Sequence, residues 1–180
     1  VVKIGVLYRI GMFISSFLPL YIILFIINYE DFLELGQTLT ADITFYTLLF
    51  LLVLSPLFLI YIVTRKHNRH RKFGIVKERN EEILSYIVTY IIPLLSMDVT
   101  VLSSILANGF LFLLMGFIYV KNNLTYLNPL FLLFNYKLYN NSEGILIISN
   151  HTYNWLNEHS DTVLSCKALG DRIFFIRKRR

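Results

Sequence analysis

The chain has 180 residues, of which 56% are apolar and only 16% charged, and its mean hydropathy is +0.58. Soluble domains carry about 25% charged residues, so so few charges exclude an ordinary soluble enzyme and point to an integral membrane protein. The balance is basic, with 17 Lys and Arg against 12 Asp and Glu and a net charge of +5, and the single cysteine, Cys166, excludes a disulfide scaffold and a Cys-rich zinc module alike.

Four charge-free stretches organise the first two thirds. Ile10 to Tyr29 has no charge for 20 residues, Ile43 to Thr64 for 22, Ile83 to Met97 for 15 and Val99 to Val120 for 22. A helix crossing the hydrocarbon needs roughly 20 apolar residues, so three stretches meet the length directly. No small-residue cleavage site follows the first run, which reads as retained rather than as a signal peptide. The third and fourth together make a 38-residue block broken only by Asp98. A single helix of that length would measure about 57 Å, so a helical hairpin is expected, turning at Ser96 to Thr100 with Asp98 as N-cap. The predicted spans are 10–28, 43–63, 83–95 and 101–120. Ser15, Ser16 and Pro19 in the first, Ser55-Pro56 in the second and Pro93 in the third are expected kink or packing sites.

Charge placement orients these spans. Tyr29 to Asp42 holds Glu30, Asp31, Glu34 and Asp42 without a cation, and the second turn on that side holds only Asp98. The loop 65–82 holds Arg65, Lys66, Arg69, Arg71, Lys72, Lys77 and Arg79, and the other ten cations precede the first span or follow the fourth. All 17 cations thus fall on one side, which the positive-inside rule makes cytoplasmic, with both termini there. The expected fold is a membrane all-α domain of four transmembrane helices over residues 1–121. A small cytoplasmic β-rich tail follows over 122–180.

In the tail, the 11-residue apolar run Leu124–Phe134 is too short to span and reads as an interfacial helix or the base of a small domain. Tyr136–Tyr139, Ile145–Ile148, Val163–Leu169 and Arg172–Ile176 read as about four strands. The last two form a hairpin across Gly170-Asp171, and Asn150 to Asp161 reads as a loop.

Few residues carry chemistry. The seven loop cations fit anionic lipid head groups, nucleic acid or an acidic partner, and equally the plain topology signal. With Phe73 the only aromatic nearby, nucleic acid is the weakest of these. His67 and His70 sit among cations that repel a metal. His151, Glu158 and His159 admit an acid–base pair, but no nucleophile spacing supports one. On the fourth span, Ser103, Ser104, Ala107, Asn108 and Gly109 form small or polar repeats at helical spacing, fit for packing within one subunit, an oligomer seam or a pore lining. No span contains Lys, Arg, Glu or His, which argues against a proton relay or coupled transporter. The sequons at Asn123, Asn140 and Asn150 fall on the expected cytoplasmic side and read as chance. No enzyme activity, cofactor or metal is expected.

Three segments together carry a resemblance: Ile14-Ser15-Ser16-Phe17-Leu18-Pro19-Leu20-Tyr21-Ile22, Leu127-Asn128-Pro129-Leu130-Phe131-Leu132-Leu133-Phe134-Asn135-Tyr136, and Gly144-Ile145-Leu146-Ile147-Ile148-Ser149. In this order they resemble KwaA, the membrane subunit family of the bacterial Kiwa anti-phage defence system. The resemblance implies a four-span inner-membrane protein that forms a homo-oligomer. It would sense phage-caused envelope disturbance and anchor a cytoplasmic DNA-binding effector, KwaB. It transfers no catalytic motif. The rival expectations are a small oligomeric pore or depolarising toxin, and an integral membrane enzyme built around His151, Glu158 and Cys166.

Overall fold

The computed structural model describes residues 5–33, 36, 38–64, 69–79, 85, 97–170 and 172–177. Apart from residue 85, the expected span 83–95 lies outside them, as do Arg65, Lys66 and His67.

The first apolar stretch is not one straight helix. It forms α1 (Val6–Ser16) and α2 (Leu18–Ile27), bent by 42° across Phe17. Pro19 stands in the first turn of α2, where its missing N–H costs nothing but would have broken a continuous ladder to Ser15. On the other side of the bend, Ser15 and Ser16 turn their hydroxyls back onto the Met12 and Phe13 carbonyls at 2.9 and 2.7 Å. Back-bonding of this kind also bends helices. A short helix α3 (Tyr29–Leu33) follows, then the 26-residue α4 (Leu39–Thr64), which continues through Pro56. The fourth expected span is α5 (Leu102–Lys121). Leu39–Tyr61 and Leu102–Lys121 are each long and apolar enough to cross a membrane, and α1 with α2 pass the same test only as a bent pair.

Asp98 does not cap α5. The N-cap is Val101, and the Asp98 carboxylate instead accepts the Thr100 N–H at 2.9 Å and its hydroxyl at 2.6 Å. An Asp commonly closes a turn on the residue two positions ahead, and that local geometry competes with capping. These bonds hold the Asp98 carboxyl below its ordinary pKa.

Glycine sets how closely the helices meet. A Cβ on Gly11 would collide with the Phe58 ring of α4, and one on Gly116 would stand 2.9 Å from the Phe13 ring. Phe13, Phe17 and Phe112 then pack with ring centroids 4.8 to 5.1 Å apart. Arg9 closes one end of this packing by donating at 3.1 Å to the Val120 carbonyl in the last turn of α5, which also accepts the Asn123 N–H at 3.4 Å.

After α5 the chain forms α6 (Pro129–Leu133) and a mixed sheet. The tail gives β3 (Lys137–Asn141), β4 (Leu146–Ser149), β5 (Leu164–Gly170) and β6 (Ile173–Ile176), close to the four expected strands. Its expected loop contains a helix, α7 (Tyr153–Glu158), started by Thr152, whose hydroxyl accepts from the Trp155 N–H. The basic loop supplies the two edge strands, β1 (Arg69–Arg71) and β2 (Val76–Glu78), and the order is β1-β5-β6-β4-β3-β2. All neighbours are antiparallel except β4 and β6.

That order forces curvature. Six strands laid flat would set the edges about 24 Å apart, whereas the five steps from Arg71 to Val76 reach at most about 18 Å. The sheet must therefore curl until its edges approach. Phe73 fills the inside, with Tyr139, Ile147, Cys166, Phe174 and Ile176. Alternate residues Leu138, Ile148, Leu169, Ile173 and Phe175 face outward into the core that runs through α6 to Met12, Phe13 and Phe17. In β6 (Ile-Phe-Phe-Ile) every residue is buried because both faces are covered.

Candidate functional site

Two of the three segments that carry the resemblance meet inside the molecule. Asn128, N-cap of α6, accepts the Leu130 N–H on its amide oxygen at 3.0 Å. Its amide nitrogen donates to the Ser15 hydroxyl at 2.9 Å, and both residues are fully buried. Ser15 is the residue whose carbonyl Pro19 cannot reach. One asparagine thus starts α6 and grips the bend between α1 and α2.

The contact continues to the sheet. Phe131 of α6 packs on Phe175 of β6 with centroids 6.1 Å apart, and Tyr136 packs on Phe175 at 4.9 Å with the rings tilted by 35°. The hydroxyl of Thr125, fully buried, donates to the Leu169 carbonyl at 3.3 Å. Gly170 approaches Asn123 so closely that a Cβ there would stand 2.7 Å from its amide nitrogen. Across the bundle, Ser55 of α4 donates to the Leu51 carbonyl at 2.7 Å and lies 3.4 Å from the Ile14 carbonyl at the same bend. Such buried polar contacts are high-stakes: left half-made, each exposes a group that has no water to turn to.

The described loop cations stand on the sheet edges. Arg69, Arg71, Lys72, Lys77 and Arg79 are exposed. Arg71 lies 5.4 Å over the Phe174 ring and 3.4 Å from Glu143, and Lys137 pairs with Glu78 at 3.0 Å. The loop is therefore held by the tail, an arrangement that charge counting alone does not reveal.

On α5, Ser103, Ala107 and Gly109 are exposed, whereas Ser104 and Asn108 are half-buried. Asn108 donates to the Ser104 carbonyl at 2.9 Å, and Ser104 accepts the Asp98 N–H at 2.9 Å. The close helix approaches fall on Gly11 and Gly116, which the sequence reading did not single out.

His151 and His159 sandwich Trp155, at centroid distances of 3.7 and 4.1 Å and nearly parallel. Each histidine stands four residues from Trp155, His151 just before the N-cap of α7 and His159 at its C-cap. Cys166 is fully buried, and burial pushes its thiol up to about 11, so it keeps its proton near neutral pH. Among the described residues no group of three or more His, Cys, Asp or Glu is placed to hold a metal ion.

These features define a helical protein with two helices long and apolar enough to cross a membrane, locked to a curled sheet through a buried polar junction. The family model of the anti-phage protein KwaA matches residues 8–175, and the chain belongs to that family. No curated protein and no solved structure matches it.

Proposed function

We propose that this chain is a non-enzymatic inner-membrane sensor and scaffold subunit of a bacterial anti-phage complex, detecting envelope disturbance and anchoring a cytoplasmic effector. The family supplies the setting of anti-phage defence. By resemblance the effector is the DNA-binding KwaB, and the membrane part forms a homo-oligomer. The sheet with its basic edges faces the cytoplasm, since all 17 cations then lie on that side.

The observation that carries this reading is the Asn128–Ser15 hydrogen bond. A change in bilayer thickness or tension alters the preferred tilt of a span and the angle within a broken one. Such a change shifts the population between two packings only if something outside the helices feels the difference. Asn128 supplies that connection, because moving the bend pulls on α6, and α6 is packed on Phe175. The exposed cations Arg69, Arg71, Lys72, Lys77 and Arg79 then face the partner or anionic lipid. The exposed Ser103 and Ala107 face a second copy.

Asn128→Ser separates coupling from folding, because serine still caps a helix but is too short to reach Ser15. The variant should insert in the membrane and still co-purify with the effector, yet lose protection in a phage-plating assay. Full protection by this variant would overturn the proposed coupling.

A further inference from the structure

Between α2, α4 and α5 lies a cavity of about 190 Å³, walled by Leu20, Leu24, Leu48, Ile105 and Phe112. Four polar residues also reach its wall, Tyr21 among them, and the other three each donate to their own helix. Thr44 donates to the Thr40 carbonyl at 2.8 Å, Thr47 to Ile43 at 2.7 Å and Asn108 to Ser104 at 2.9 Å. The exposed wall is nonetheless almost wholly apolar, and a cavity so lined stays dry. One of roughly 150 Å³ already admits benzene.

The cavity is open on one side. Gly109 lines it, and a Cβ on Gly109 would meet nothing within 4 Å. Ile43, also in the lining, is 57% exposed. The two long helices of its wall are the two that can cross a membrane unaided. Gly109 stands about 10 Å from the start of α5 along the helix axis, within the roughly 30 Å of hydrocarbon that such a helix crosses. A mouth at that depth opens onto lipid tails and not onto water or head groups.

We propose that this cavity takes one acyl chain of a bilayer phospholipid. The proposal rests on the membrane placement given under Proposed function, and not on the effector or on defence. The chain would lie beside Leu20 and Leu24, just beyond the bend at Phe17, where its presence wedges α2 from α4 and its withdrawal lets them close. The bend that Asn128 grips would then respond to how readily the bilayer supplies a chain.

The test uses the full-length protein reconstituted in bilayers of a phospholipid with a diazirine midway along one acyl chain. After photolysis, adducts are mapped by peptide mass spectrometry. Adducts are expected on Leu48 and Ile105 of the cavity, as well as on Phe50 and Phe110, which are 64% and 71% exposed on the outside of the same helices. In Gly109→Phe the new ring occupies the mouth, so the cavity adducts should fall to background while those on Phe50 and Phe110 persist. Adducts on the outer residues alone, in the unaltered protein, would overturn the acyl-chain site and leave the membrane reading standing. Adducts on neither set would overturn both. Cavity adducts that survive in a folded Gly109→Phe variant would also count against the site, since lipid would then be reaching these residues by another route.

Discussion

Single side chains set the tolerances of this molecule. Gly11 and Gly109 have similar helical surroundings in sequence, yet a Cβ meets Phe58 at the first and empty space at the second. Gly11→Leu should therefore overpack the α1–α4 contact and destabilise the protein by about 1–3 kcal/mol. Gly109→Ala should be neutral or stabilising by up to about 1 kcal/mol, the helix-propensity difference. Thermal unfolding of the purified protein in detergent compares the two directly. Two buried acids give a pH dependence. Burial raises the Cys166 thiol to about 11 from an ordinary value near 9, and it is also the main reason Tyr139 rises to about 12, with Glu78 adding to it. Both are neutral in the fold and ionise more easily when unfolded. Their stabilisation is thus whole below pH 9 and is lost as pH rises through the folded values. The unfolding midpoint should fall between pH 9 and 11, and Cys166→Ala should lessen the fall in the lower part of that range.

At the scale of elements, the basic loop and the tail are one structural unit. β1 runs beside β5 with Arg69 opposite Cys166, and β2 runs beside β3 with Val76 opposite Asn141. Phe73, only 3% exposed, joins them, and its carbonyl accepts from the Asn141 amide at 2.7 Å. Removing the ring should cost about 3–5 kcal/mol locally, in line with other buried phenylalanines. Phe73→Ala is expected to release both edge strands together, so that limited trypsin cleavage at Arg69, Arg71 and Lys77 quickens while the helices stay protected. Cleavage at an unchanged rate would mean that the strands hold without the plug. The composition of this loop invites a reading as a solvated basic segment. Its one buried aromatic and the positive-φ Gly74 beside it are the local marks of a folded one.

For the whole molecule, the charge asymmetry gives a checkable orientation. Thr38, just before α4, and Ile75, between β1 and β2 in the segment that follows α4, are both exposed. In intact cells a membrane-impermeant maleimide should label Thr38→Cys at once and Ile75→Cys only after the membrane is opened. Cys166, buried and protonated, provides a quiet background. The reverse pattern would invert the topology and move the sheet to the outside.

The sequence by itself determined where the long apolar helices lie, because hydrocarbon tolerates only unbroken runs of about 20 apolar residues. It also determined most of the tail strands, because turn residues bracket short β-branched and aromatic runs. It marked Ser15, Pro19 and Asn128-Pro129 as departures from plain apolar sequence. Only the tertiary structure decided what these residues do. A hydrogen bond between positions 113 residues apart leaves no trace in spacing or composition, and neither does the recruitment of a basic loop as the two edges of a sheet. The same holds for Gly11 and Gly116. A glycine in an apolar helix looks alike in sequence whether it faces a phenylalanine ring or open space, and only the neighbouring helix makes the difference.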